Sequence, residues 1–95
     1  MSTGPGPRYR VEFTRPALKE FQGLPRRARE RIAPRVDALA DDPRPHGAEK
    51  LEGGAEEYRI RVGDYRVIYE IRDDRLIVLV LRVGNRRDVY RRRGN

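Results

Sequence analysis

Three arginines stand at a spacing that suggests chemistry. Arg59 and Arg61 alternate with apolar residues in Tyr58-Arg59-Ile60-Arg61-Val62, and Arg66 follows soon after the turn residues Gly63-Asp64. A two-residue hairpin loop at Gly63-Asp64 pairs Val62 with Tyr65, Arg61 with Arg66, Ile60 with Val67 and Arg59 with Ile68. Residues that pair across a hairpin share a face. The three arginines therefore gather on one side. Tyr58, Ile60, Val62, Tyr65, Val67, Tyr69 and Ile71 form an apolar face on the other. Like charges placed directly opposite each other destabilise a sheet. Two readings of the conflict stay open. Either all three side chains point into water, where salt screens them and Glu70 on the same face offsets them, or the face is built for an anion. A guanidinium forks two hydrogen bonds onto a phosphate, and a local conflict of this kind is expected at functional sites.

The composition agrees with an anionic partner. The chain has 95 residues and a net charge of +7, and only Lys19 and Lys50 of its 22 basic residues are lysines. The arginine excess reads equally well as the codon usage of a GC-rich genome and as a phosphate-binding surface. With no cysteine and a single histidine, His46, disulfides, thiolate metal sites and a histidine acid–base pair are excluded. The length suits one domain with one pair of packed layers, too small for a TIM barrel or a full dinucleotide-binding fold. No run approaches the roughly 18 apolar residues of a membrane span. Residues 1–7 lack the apolar core of a signal peptide and read as a flexible leader, residues 8–90 as the domain and residues 91–95 as a basic tail. These features suit a cytoplasmic protein.

The elements that position the arginines follow from the pattern. Arg8 to Phe13 alternates as a half-buried strand. Thr14 is a good N-cap, Pro16 fits a first helical turn and Gly23 ends a short helix carrying Ala17, Leu18 and Phe21. Pro25 opens a second helix that runs to about Ala40, with Ala28, Ile32, Val36, Leu39 and Ala40 on its apolar stripe. Pro34 is expected to kink or divide it. Asp41 to Glu49, rich in proline and glycine, reads as a loop with an exposed His46. Strands follow over 55–62 and 65–71, and the apolar run Leu76 to Leu81 reads as a central strand after a turn at Asp73-Asp74. The fold class is α+β, with an N-terminal strand and a helical hairpin packed on one face of a mostly antiparallel four-stranded sheet. A tight second turn pairs Ile68 with Leu79 and Arg66 with Leu81. Ile68, Ile77, Leu79 and Leu81 then lie beside the arginines and suggest a docking surface for a protein, or cover by the loop and tail.

Four stretches taken together resemble the RelE/ParE superfamily of type II toxin–antitoxin toxins, the RelE branch above all. They are Tyr9 to Phe13 with Ala17-Leu18-Lys19, Lys50 to Gly53, Tyr58 to Tyr69, and Val83 to Tyr90. The resemblance implies a RelE-like microbial RNase fold and a ribosome-dependent endoribonuclease. Such an enzyme cleaves mRNA in the A site through attack of a ribose 2′-hydroxyl on the adjacent phosphate, without metal or cofactor. Its catalytic residues map onto Arg59, Arg61, Arg66, Arg86 and Tyr90. Arg82, Arg87, Arg91, Arg92 and Arg93 become RNA-backbone contacts, and Ile68, Leu79 and Leu81 the antitoxin surface. The implied partners are an acidic antitoxin in a heterodimer or heterotetramer, the ribosome with its mRNA, and operator DNA through the antitoxin alone, with no membrane. The RelE branch carries a lysine where Arg61 stands and a basic residue where Glu52 stands. A guanidinium is effectively never deprotonated, so Arg61 is a poor general base. No histidine or well-placed glutamate is expected to replace it, which leaves positioning of the RNA as the chain's part. A ParE-like DNA gyrase inhibitor and a non-catalytic, antitoxin-bound co-repressor are the alternatives.

Overall fold

The structure is a computed structural model that describes residues 8–53 and 56–85. Its order is β1 (Arg10–Phe13), α1 (Arg15–Gln22), α2 (Arg26–Ala38), β2 (Glu49–Lys50), β3 (Glu57–Val62), β4 (Tyr65–Arg72) and β5 (Ile77–Asn85). The strands form one sheet in the order β1-β5-β4-β3-β2. Only β1 and β5 run parallel; the other pairs are antiparallel. The expected α+β architecture holds, with one strand more. Glu49 and Lys50 pair with Arg59 and Tyr58. Two exposed polar residues after a proline-rich segment carry no alternation for a sequence pattern to register.

Local chemistry explains the helices. The Thr14 hydroxyl accepts from the Ala17 amide at 3.2 Å and caps α1, with Pro16 in the first turn. Gly23 follows α1 with an ordinary right-handed φ of −83°. α2 continues through Pro34 instead of dividing. The missing amide leaves the carbonyl of Glu30 without its helical donor, and Pro34 faces solvent, where water can serve that carbonyl. The regular helix stops at Ala38, while Leu39 and Ala40 stay buried and Ala40 accepts from the Tyr9 amide at 2.8 Å.

Both helices contribute to one core. Ala17, Ala28, Ile32, Val36 and Leu39 meet Ile60, Val62, Val67, Tyr69, Ile71, Val78, Val80 and Val83. The helices therefore cover the apolar face of the sheet and leave the arginine face to other uses.

The first hairpin has the register read from the sequence, with Arg61 opposite Arg66 and Val62 opposite Tyr65. Gly63 takes φ +60°, as the first central residue of a type II′ turn must. A Cβ there would stand 3.0 Å from Nη2 of Arg31 on α2. The second hairpin differs from expectation. Its turn is longer and includes Leu76 at φ +56°, so Glu70, not Ile68, pairs with Leu79. A bulge at Ile68/Tyr69 shifts the register again and sets Arg66 opposite Gly84 and Ile68 opposite Arg82. A bulge inserts a residue and strengthens the local twist. Neither it nor a left-handed leucine has a composition signature in this stretch.

Candidate active site

The arginine face is centred on β3 and β4. Arg61 is exposed, Arg59 is largely buried and Arg66 is 7% exposed. Among the described residues no partner reaches the buried Nε of Arg66. A buried charge is costly unless it is paired, and here it faces a second arginine across the strand pair. Of the two readings left open, the solvated one fails at Arg66. Of the three, only Arg61 is exposed.

Arg59 is ion-paired with Glu49, its cross-strand neighbour on β2. At the start of β2, Arg59, Arg61 and Glu49 share an open groove of about 500 Å³ with Arg35 of α2, Gly47 and Ala48. Glu49 and Arg35 were not singled out in the sequence. Glu49 lay in a segment read as loop, and Arg35 lies on the second helix outside its apolar stripe. The sequence offered no well-placed glutamate beside Arg61; the structure sets Glu49 in the groove with it.

Arg82 serves differently from expectation. It grips Glu20 of α1 at 2.7 Å through Nη2 and 3.0 Å through Nε, and the same carboxylate accepts from the Val83 amide at 2.9 Å. Where β1 ends, α1 packs against β5, so the bulged strand meets the helix there. Ile68 is fully buried, outside the main core cluster, and is no surface contact. Leu79 and Leu81 remain half-buried. Arg86, Arg87, Tyr90, Arg91, Arg92 and Arg93 lie outside the described residues. Asn85, where β5 ends, pairs with Tyr65 at the tip of the first hairpin.

A second polar cluster holds the opposite end of the sheet. Arg44 bonds Asp73 at 2.8 and 3.3 Å, Glu56 at 3.2 Å and the Tyr58 hydroxyl at 3.1 Å. Lys50 adds a bond to Glu56 at 3.0 Å, and the Tyr9 hydroxyl donates to Asp73 at 2.5 Å. The hydrogen bonds from Arg44 first and Tyr9 second hold the Asp73 carboxyl below its ordinary value. Those from Lys50 and then Arg44 do the same for Glu56. Burial raises the Tyr69 phenol, whose hydroxyl donates to the Pro43 carbonyl at 2.7 Å. These bonds fasten the loop after α2 to the strands, and the loop in turn leads into β2 and Glu49.

Comparison with known proteins places this chain in a family. The model of the ParE toxin of the type II toxin-antitoxin system, parDE, matches residues 11–90. The chain belongs to the RelE/ParE toxin superfamily. It is 37% identical over 87 residues to a putative RelE-like toxin protein of Escherichia coli, covering 87% of this chain and 90% of the relative. It is 32% identical over 80 residues to the mRNA interferase toxin RelE of E. coli K12, covering 82% and 83%. The RelE/ParE fold is equally plain in three dimensions. The toxin of the intact E. coli RelBE toxin-antitoxin complex superposes with a TM-score of 0.73 at 30% identity, over 81% of this chain and 95% of that one. No helix among the described residues of this superfamily member is long and apolar enough to cross a membrane.

Proposed function

We propose that this protein is the toxin of a type II toxin–antitoxin pair and inhibits translation as a ribosome-dependent endoribonuclease. The observation that carries the reading is the buried Arg66 opposite Arg61, a charge conflict that a phosphate relieves. The relatives named mRNA interferase support the same assignment. In the reaction the 2′-oxygen forms a bond to phosphorus and the bond from phosphorus to the 5′-oxygen breaks. The products are a 2′,3′-cyclic phosphate and a 5′-hydroxyl. Negative charge grows on the phosphoryl oxygens, where preorganised guanidinium groups are most effective; Arg66 and Arg59 take that role. Arg61 aligns the phosphate and, as a guanidinium, takes no proton. Arg86 serves the leaving 5′-oxygen, and Tyr90 stacks on a base or orients the 2′-hydroxyl.

The partner is an acidic antitoxin, a reading supported by the similarity to chains of RelB–RelE complexes, and its apolar side chains cover the half-buried Leu79 and Leu81. The pair acts in the cytoplasm, where the ribosomes are, and reaches operator DNA through the antitoxin. Primer extension on translated mRNA after induction tests the reading, with discrete cuts inside codons as the expected result. The match to a ParE family model favours one other outcome. Intact mRNA together with gyrase-linked DNA breaks would assign the toxin to DNA gyrase and overturn the nuclease.

A further inference from the structure

We propose that Glu49 is the general base of this site. The inference rests on the nuclease reading above and supplies what that reading lacks, a group that accepts the 2′-hydroxyl proton. The three arginines of the face cannot, because a guanidinium stays protonated at any physiological pH. Of the described side chains lining the groove with Arg59 and Arg61, only Glu49 carries an oxygen able to take a proton; the others are Arg35 and Ala48. A carboxylate is ionised at neutral pH and ready to accept.

The position fits the role in three respects. Glu49 is the cross-strand partner of Arg59, so β2 sets it beside a residue that addresses the phosphate. Its ion pair with Arg59 fixes the carboxylate, and a base oriented by a neighbour is the recurring arrangement in proton-transfer sites. Its side chain is 61% exposed, although the Arg59 side chain behind it is only 14% exposed. One oxygen can therefore bind Arg59 while the other meets substrate and later returns its proton to water. The proton of the 2′-hydroxyl passes to Glu49, the 2′-oxygen attacks phosphorus, and the bond to the 5′-oxygen breaks as that oxygen takes a proton from solvent. The chain then needs no lysine at position 61, because the base has moved one strand outward, from β3 to β2.

The arrangement admits a rival role. In it Glu49 merely neutralises Arg59 and competes with RNA for it; the two roles predict opposite effects on cleavage. The experiment compares the intact protein with Glu49→Gln, Glu49→Asp and Glu12→Gln. Glu12 pairs with Arg10 on β1, at the far edge of the sheet, and controls for the charge change. Two quantities are read: cleavage of mRNA on programmed ribosomes, and affinity for a short 2′-O-methyl oligoribonucleotide, which cannot be cut. The expected result is cleavage at least about 100-fold slower in Glu49→Gln, the usual range for a lost base. RNA affinity should be unchanged or higher, with partial recovery in Glu49→Asp and normal cleavage in Glu12→Gln. Wild-type or faster cleavage by Glu49→Gln overturns the proposal and leaves the nuclease reading intact. So does a loss of RNA affinity that accounts for the whole loss of cleavage. Absence of cleavage by the intact protein overturns both. Thermal melts of each variant separate a folding defect from a catalytic one, and Glu49→Asp cleaving no better than Glu49→Gln while folding normally also counts against the base.

Discussion

Arg66 and Arg82 are two largely buried arginines on adjacent strands, and among the described residues only Arg82 has a carboxylate partner. Arg82 holds Glu20 at 2.7 Å, whereas the Arg66 Nε meets no acceptor among the described residues. The same residue type thus does opposite work at two points a few residues apart in the sheet. Arg82 ties β5 to α1, and the buried Nε of Arg66 has no such tie among the described residues.

Arg66→Met should separate the two kinds of work. Replacing a buried, unpartnered charge with an apolar side chain of similar length is expected to stabilise the fold by about 1 kcal/mol. The same change should slow mRNA cleavage by about 100-fold or more, the scale of losing one preorganised donor to a transition-state oxyanion. Thermal denaturation and primer extension read the two effects, and a destabilised Arg66→Met would mean that Arg66 is a structural residue.

Glu20→Ala should do the reverse. It leaves Arg82 and the Val83 amide without their shared acceptor, at an expected cost of about 2 kcal/mol after allowing for partial exposure. Arg82 would become available to phosphate. Denaturant melts should show the loss of stability, and tighter binding of an RNA oligonucleotide by the folded fraction should accompany it.

Acid should loosen the end of the sheet held by Arg44. The Asp73 and Glu56 carboxyls are depressed in the folded state, so their contribution is complete above their unfolded values of about 4. It is lost as pH falls through the lower folded values. Arg44→Gln removes the shared donor. Its melting temperature should therefore lie below that of the wild type by a constant amount near neutrality, and the gap should narrow below about pH 4. A gap independent of pH would show that Arg44 acts by packing alone.

Pro34→Ala should stabilise the protein. It restores the amide donor to the Glu30 carbonyl at an exposed site within α2. A proline inside a helix costs up to about 3 kcal/mol relative to alanine. Part of that is already absorbed by the unbroken helix, so a gain of about 1 kcal/mol is expected in a chemical melt, with cleavage unchanged.

The sequence shows the first hairpin clearly because three local signals agree there: strict alternation, a Gly-Asp pair at the turn and an arginine on each strand. The helices were equally legible from Thr14, Pro16, Pro25 and the apolar stripe of α2. What escaped was set by tertiary contact. The strand at Glu49-Lys50 exists only because β3 presents an edge to pair with. The bulge that brings Gly84 opposite Arg66 lies in the pairing of β4 with β5, a strand that also pairs with β1. The tie from Arg82 to Glu20 spans 62 residues of sequence, a separation at which charge pattern gives no guide. At the site, the motif named the cations but not the carboxylate among them. Arginines recur in a recognisable block, whereas Glu49 reaches Arg59 across a chain reversal.

The parallel pairing of β1 with β5 bears on how the protein is made. The first strand in the chain has its hydrogen-bonding partner among the last described residues, Arg10 opposite Ile77 and Phe13 opposite Val80. Pairings so distant in sequence form late, since a long loop must close before they are rewarded. Strand β5 also lies between β1 and β4, so the sheet stays in two pieces until β5 has been synthesised. A growing chain therefore carries β3 and its arginines without the strand that completes their face. The arginine face is complete only once β5 has been made and has paired with both β4 and β1.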